Sequence, residues 1–326
     1  MRKRVLSGMR PSGKLHLGHY LGVLVNWTKL QEDYDCFFFA ADWHALTTEY
    51  DRTDVIRESI DDMIIDWMAS GIDPAKATLF TQSHVPEHAE LHLLLSMITP
   101  LPWLERNPTY KEQLREQTTR DLHTYGFLGY PVLQAADILM YDASLVPVGV
   151  DQVPHLELTR EIARRFNFLY RELFVIPEAY LTETPKLMGT DNRKMSKSFG
   201  NAILLSDTAE EVWEKVRPMV TDPARVRRTD PGNPEVCNVF SYHKIFSDQE
   251  TIGKVDVGCR TAGIGCIECK KWMFERMEQV LRPIREERRR IVESGVSVRA
   301  ILEAGTARAR HVSAAKMTEV RDAVRI

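Results

Sequence analysis

No stretch of the 326 residues comes near the ~20 consecutive apolar residues that a membrane-spanning helix needs. The charged start, Met1-Arg2-Lys3-Arg4, leads into no long apolar segment. A signal peptide is therefore not expected, and a cytoplasmic location is. A basic surplus is missing too: Lys and Arg number 43 against 46 Asp and Glu, a formal net charge of −3. Bulk charge advertises no nucleic acid, so any such partner must be met by a local patch. There is no internal repeat and no low-complexity linker. What remains is an ordinary globular composition, 44% hydrophobic and 27% charged, at a length that suggests more than one domain.

The first half alternates strand and helix patterns. Cys36-Phe37-Phe38-Phe39-Ala40-Ala41 is a short, wholly apolar run, as in a parallel strand covered on both faces. Val55, Ile56, Ile60, Met63, Ile64 and Trp67 recur at helical spacing after a possible cap, Thr53. Residues 77–81 and 145–148 read as strands, and 88–98, 129–140 and 153–166 as helices. This order predicts an α/β fold, a Rossmann-like, doubly wound parallel sheet. In such sheets ligands bind at the carboxyl ends of strands, where His16, Asp42, His44, Gly149 and Asp151 fall. Beyond about Asn201 helical patterns dominate. Residues 270–293 form a long charged helix with Trp272, Met273, Met277, Val280 and Leu281 as its apolar face, and 298–324 a last one.

Two short stretches carry phosphate chemistry. The first is Gly8-Met9-Arg10-Pro11-Ser12-Gly13-Lys14-Leu15-His16-Leu17-Gly18-His19, after the apolar segment 4–7. A strand, a glycine-rich turn and a helix start leave backbone N–H groups and a positive dipole end for an anion. The glycines let the chain bend and a ligand approach. His16 and His19 sit three apart, so both can donate to one anion. The second is Lys194-Met195-Ser196-Lys197-Ser198, after the turn-rich Gly189-Thr190-Asp191-Asn192-Arg193. Two lysines and two hydroxyls there suit a polyphosphate clamp. A bare glycine-rich turn and an exposed basic loop are each ordinary; together the two stretches form a specific joint pattern.

Asp137 stands among apolar Ala135, Ala136, Ile138 and Leu139, which predicts a buried, functional carboxylate. Cys36 falls in a strand and reads as packing. Cys237, Cys259, Cys266 and Cys269 cluster and end in Cys-x-x-Cys. In a reducing compartment that spacing argues for a metal centre, zinc or [4Fe–4S], over disulfides. His84, His88 and His92 lie four apart, but His88-Ala89-Glu90-Leu91-His92 is not the zinc-protease order. They read as helix-surface histidines.

The paired phosphate stretches resemble the two signature motifs of class I aminoacyl-tRNA synthetases. Ala41-Asp42-Trp43-His44-Ala45, Tyr130-Pro131-Val132-Leu133-Gln134-Ala135-Ala136-Asp137-Ile138-Leu139 and Val146-Pro147-Val148-Gly149-Val150-Asp151-Gln152 narrow this. With residues 155–166 they look like the bacterial tryptophanyl-tRNA synthetases, over essentially the whole chain. Two departures stand out. Many members carry a Thr-Ile-Gly-Asn-like first motif where this chain has His-Leu-Gly-His, and the position before Asp151 is often acidic but here is Val150.

The resemblance implies that ATP activates L-tryptophan to its adenylate, with pyrophosphate released, and that tRNA(Trp) is then charged. It implies His16, His19, Lys194 and Lys197 as catalytic. ATP would be met by Arg10, Pro11, Ser12, Gly18, His19, Gly149, Val150, Asp151, Leu187, Lys194, Met195, Ser196, Lys197 and Ser198, with Mg²⁺; Lys111 is a further candidate phosphate contact. Tryptophan would be met by Asp137 at the indole N–H, Tyr130 and Gln152 at the ammonium, and His44, Leu6 and Gly8 around the ring. For the cysteines it favours [4Fe–4S] over Zn²⁺, with Arg225, Arg227, Arg228, Lys270 and Lys271 as a local anticodon-facing patch. It also implies a homodimer. The division expected is 1–200, catalytic, with a helical insertion at about 100–128; 201–297, helical and anticodon-binding; and 298–326, a helix packing back on the first. Rival readings are a tyrosine-specific relative, a small-molecule nucleotidyltransferase and a tRNA-binding protein without catalysis.

Overall fold

A computed structural model describes residues 2–108, 110–111, 121–181 and 187–326, without the side chains of Asp151 and Ser198. Part of the expected insertion at about 100–128 lies outside the described residues. Five strands form one parallel sheet: β1 (Arg4–Met9), β2 (Asp35–Ala40), β3 (Ala77–Thr81), β4 (Leu145–Val148) and β5 (Glu178–Leu181). Their order, β3-β2-β1-β4-β5, is the doubly wound arrangement, with its switch point between β1 and β4. β2 and β3 are buried almost throughout, which is why their sequences run apolar without alternation.

The chain divides into two compact units, neither continuous in sequence. One holds Met1–Gly13, Asn26–Glu183 and Ser297–Ile326; the other holds Lys14–Val25 and Thr184–Val296. Residues 14–25 and 187–200, which the sequence reading groups with residues 1–200, fall in the second unit.

In the first unit, helices Thr53–Ala69, Glu87–Ser96, Tyr125–Met140 and Val153–Leu169 bury their apolar stripes. Thr53 is the first helical residue and not a cap; Arg52 precedes it. Thr124 does cap its helix, accepting from Phe127 N. The last helix, Val298–Val324, packs on β3 and is pinned by ion pairs Arg308–Asp35, Lys316–Asp142 and Arg321–Glu90. The contact is close: a Cβ on Gly305 would stand 1.8 Å from Leu79 O. Backbone cannot yield as a side chain does, so Gly305→Ala is expected to cost about 2–3 kcal/mol and lower Tm by roughly 5 °C. Thermal denaturation checks this, and an unchanged Tm would contradict the docking.

The second unit is helical. Among its described residues the pairing is limited to isolated bridges, His16 with Leu204 and Met188 with Lys194. Its helices include Ala209–Val216, opened by a Thr208–Glu211 capping box, Asn238–Phe246, Gln249–Arg260 and Cys266–Glu293. The last buries Met273, Met277, Leu281 and Ile284. Arg285, on the same helix, is mostly buried against Glu278.

Candidate functional site

Lys14–His19 of the first phosphate-type stretch and all of the second lie in the second unit, and pairing of main chain joins the first to residues 203–205. Leu17 N donates to Ile203 O at 2.9 Å and Leu205 N to Leu15 O at 3.0 Å. The first stretch is thereby stitched to the residues directly after Lys194–Ser198. His16 stands in the electrostatic field of Lys197, and Met195 Sδ lies 3.9 Å from where a Gly18 Cβ would be.

The two imidazoles are oriented by the helix start itself. His16 Nδ1 accepts from Gly18 N at 3.1 Å, and His19 Nδ1 accepts from His16 N at 3.2 Å. The rings lie against each other, tilted by 31°, with centroids 3.8 Å apart. A nitrogen that accepts a backbone N–H carries no proton, so each neutral ring presents Nε2–H as a donor. Burial, helped by the Lys197 charge, lowers the His16 pKa to about 4. His16 therefore stays neutral near pH 7. Gly18 cannot take a side chain here, since a Cβ would meet His16 Cε1 at 2.9 Å. A π-helical turn, Tyr20–Leu24, follows; such turns gather at functional sites.

The lysine stretch is braced from behind. Asn201 donates to Asp191 Oδ1 at 2.7 Å and to Lys194 O at 3.1 Å, and accepts from Ser196 N at 2.8 Å. Asp191 also takes Arg193 N and Nε. Lys194 is exposed, Met195 buried, and Lys197 half-buried on a 3₁₀ turn, Lys197–Phe199. Leu187 is half-buried in the same unit. This geometry can meet an elongated anion with imidazole N–H groups and ammonium charge.

The first unit gathers a second cluster at the carboxyl ends of its strands. Arg10, Pro11 and Ser12 follow β1, His44 opens the segment after β2, Gln82 follows β3, and Gly149 and Val150 follow β4. Arg10 and Val150 are exposed and Pro11 is buried. Asp42 Oδ1 accepts Trp43 N and Ser83 N, tying the β2 and β3 ends. Asp137, 1% exposed, is the centre. Its Oδ2 takes His44 Nε2 at 2.7 Å, its Oδ1 takes His88 Nδ1 at 2.6 Å, and Gln82 Nε2 reaches both at 2.9 and 3.0 Å. Burial pushes its carboxyl up, but the hydrogen bonds and charge of His44 and His88 outweigh that and hold it at about 2. It is an ionised acceptor at neutral pH.

Tyr130 faces the His44 ring edge-on, centroids 6.5 Å apart. Its Oη lies 2.9 Å from His155 Nε2, and His155 Nδ1 lies 2.9 Å from Asn107 Nδ2. An imidazole that accepts from Asn107 donates to Tyr130, leaving the phenol oxygen oriented. Gln152 is half-buried and Leu6 buried. A Cβ on Gly8 would strike the Phe39 ring at 2.5 Å, so packing by itself demands glycine there. Lys111 is exposed, and the Asp151 side chain lies outside the described residues.

Sequence reasoning misplaced His88. It is not on the helix surface but fully buried, bonded to Asp137 and to Tyr141 Oη. Its signal was there: it sits one turn from Leu91 and two from Leu95, on the buried face. Gln82 and His155 were missed as polar members of the cluster as well; only the apolar pattern around them hints at burial.

Cys237, Cys259, Cys266 and Cys269 line one apolar recess with Phe240, Val255 and Ile264. All are free thiols, and Cys269 is pushed to about 12 by burial and by its three neighbours. Among the described residues no group of three or more candidate ligands is drawn into metal-binding geometry. Arg227, Arg228 and Lys271 are exposed. Lys270 is buried and donates to Arg217 O at 2.7 Å, so it is no part of a surface patch. No helix among the described residues is long and apolar enough to cross a membrane.

Comparison with known proteins agrees in scope. The family model described as "tRNA synthetases class I (W and Y)" matches residues 1–282. A tryptophan–tRNA ligase of Thermotoga maritima is 55% identical over 325 residues, 99% of each chain. One from Aquifex aeolicus is 46% identical, covering 99% of this chain and 100% of its own. A tryptophanyl-tRNA synthetase from Campylobacter jejuni, solved complexed with ADP and tryptophan, superposes with a TM-score of 0.86 at 33% identity over 99% of this chain and 100% of its own.

Proposed function

The chain belongs to the class I tRNA synthetases for tryptophan and tyrosine, and from that membership we infer how its residues activate L-tryptophan with ATP and charge tRNA. The reaction has two parts. A tryptophan carboxylate oxygen attacks the α-phosphorus of ATP, the bond to the bridging oxygen breaks, and pyrophosphate leaves. A hydroxyl of the terminal tRNA ribose then attacks the acyl carbon and AMP leaves. Chemistry of this kind rests on positioning and on stabilising charge.

His16 and His19 donate Nε2–H to the triphosphate, with Gly18 N–H orienting the His16 ring. Lys194 and Lys197 hold charge on the pyrophosphate as it departs, with Met195, Ser196 and Ser198 shaping the turn that presents them. The observation that carries this is the pairing of residues 15–17 with 203–205, which sets His16 beside Lys197. Arg10, Pro11, Ser12, Gly149, Val150, Asp151 and Leu187 are assigned to the rest of ATP. Mg²⁺, when bound, neutralises phosphate charge. Asp137 accepts the indole N–H, Tyr130 and Gln152 receive the ammonium, and His44, Leu6 and Gly8 border the ring.

The test is ATP–pyrophosphate exchange with each amino acid. Exchange with tryptophan is expected; exchange with tyrosine alone would overturn the assignment of Asp137. Product formation with a small acceptor and no tRNA would favour a nucleotidyltransferase.

Cys237, Cys259, Cys266 and Cys269 are proposed to hold a [4Fe–4S] cluster. The donor set fits: four thiols share one apolar recess, and thiolates are the ligands such a cluster takes. Cys237 directly precedes helix Asn238–Phe246, Cys259 lies in Gln249–Arg260, and Cys266 and Cys269 lie in Cys266–Glu293, so these residues would hold a cluster among three helices. Anaerobically purified protein is expected to be brown with about four iron atoms per chain. A colourless protein with one zinc would refute the cluster and leave the ligase standing. A homodimer in the cytoplasm completes the proposal, and sedimentation equilibrium reads the mass.

A further inference from the structure

Asp137 is held by more donors than an acceptor for one indole N–H requires. Behind it stands a buried chain: Tyr141 Oη lies 2.8 Å from His88 Nε2, and His88 Nδ1 lies 2.6 Å from Asp137 Oδ1. His88 and Tyr141 are wholly buried and Asp137 is nearly so. The polarity of the chain follows from its ends. Burial, then the charges of Asp137 and Glu87, push the Tyr141 phenol well up, so it keeps its proton. Asp137 is ionised and can only accept. Because the carboxylate can only accept, Nδ1 of His88 carries a proton and donates it to Oδ1, while Nε2 meets the Tyr141 hydroxyl.

Gln82 gives the same reading from another side. It turns its amide N–H to Asp137 and leaves Oε1 buried without a partner among the described residues. An orphaned buried acceptor is costly, and the arrangement tolerates it to place a further donor on this carboxylate. Oδ1 takes two fully buried donors, His88 and Gln82; Oδ2 takes the same Gln82 amide at 3.0 Å and His44, which is partly exposed at 12% of its side chain.

We propose that Tyr141, His88 and Gln82 form a positioning relay that fixes Oδ1 of Asp137 and reserves Oδ2, the oxygen facing His44, as the acceptor of the substrate's indole N–H. These are positioning residues for amino-acid specificity, acting through Asp137; the inference rests on Asp137 reading the indole. An amino acid without a ring N–H gives Oδ2 no donor beyond His44 and Gln82, in a site too rigid to turn the carboxylate elsewhere.

The experiment is amino-acid-dependent ATP–pyrophosphate exchange by the full chain as wild type, His88→Leu, His88→Asn, Tyr141→Phe and Asp137→Asn. KM is taken for tryptophan and ATP, and kcat/KM for tryptophan over phenylalanine. His88→Leu is expected to raise KM for tryptophan about 10-fold and to lower the tryptophan/phenylalanine ratio about 10-fold, with KM for ATP within about twofold. Tyr141→Phe, which removes one hydroxyl and keeps the fold, is expected to shift both about threefold in the same direction. His88→Asn places an amide N–H near the position of Nδ1–H and is expected to recover most of the loss. If Asp137→Asn collapses the ratio while His88→Leu and Tyr141→Phe leave it unchanged, the relay is wrong and the Asp137 reading survives. If Asp137→Asn leaves the ratio intact, that reading falls and takes the relay with it. Equal rises in both KM values, with no recovery in His88→Asn, would reduce His88 to packing and overturn the proposal.

Discussion

Asp137→Asn is expected to lower kcat/KM for tryptophan by on the order of 10³, the largest single effect in the amino-acid site. The carboxylate accepts from His44, His88 and Gln82 at 2.6 to 3.0 Å. An amide in its place turns one acceptor into a donor and sets N–H against N–H in a buried setting, where unmatched polar groups cost most. The loss should fall on tryptophan far more than on ATP. The wild-type group also has a pH signature. Its pKa is depressed to about 2 from an ordinary 3.8. Its contribution to stability is thus fully present above pH 3.8 and is lost as pH falls from there towards 2. Acid unfolding followed by circular dichroism should show Asp137→Asn losing part of the wild-type slope in that window. Exchange kinetics at pH 7 provide the activity check, and a ratio of kcat/KM values near one would contradict the role.

Lys197→Ala is expected to reduce kcat for exchange by roughly 10²–10³, with a smaller change in KM for ATP, because the ammonium matters most where charge develops on the leaving pyrophosphate. His16→Asn isolates the facing half. Asparagine keeps a cap acceptor for Gly18 N while discarding the Nε2–H donor, so a fall of about 10-fold or more reports the donor and not the helix start. The double variant should lose less than the product of the two single losses, because both groups act on one triphosphate. Strict multiplicativity would separate them. His16 adds a stability term of known sign. Its pKa lies near 4, below the ordinary 6.5. Stability is therefore undiminished by it above pH 6.5 and falls as pH drops from 6.5 towards 4, where the unfolded chain binds the proton first.

The sheet could be read from the chain because parallel strands buried on both faces leave apolar runs, as at Phe37-Phe38-Phe39 and at β3. β5, Glu178–Leu181, escaped because it is a four-residue edge strand, largely exposed, with no such run. Gly8 and Gly18 were noticed for a backbone freedom that neither needs; each is small because a ring, Phe39 or His16, occupies the space of its Cβ. The pattern of charges could not reveal that Lys270 turns inward to cap Arg217 O, since that depends on a contact 53 residues away. The same limit hid His88. Four-residue spacing with His84 and His92 draws the eye to a metal or a solvated face, whereas its partner, Asp137, lies 49 residues on. The two phosphate stretches were legible as motifs, but the stitch that joins them, residues 15–17 to 203–205, carries no sequence signature because it is made of main chain alone.

The most direct measurement is a crystal structure of the protein with tryptophan and a non-hydrolysable ATP analogue. The phosphates should lie within hydrogen-bond distance of Nε2 of His16 or His19 and of Lys197 Nζ at once. A nucleotide whose phosphates touch neither, or only one of these two stretches, would contradict the account.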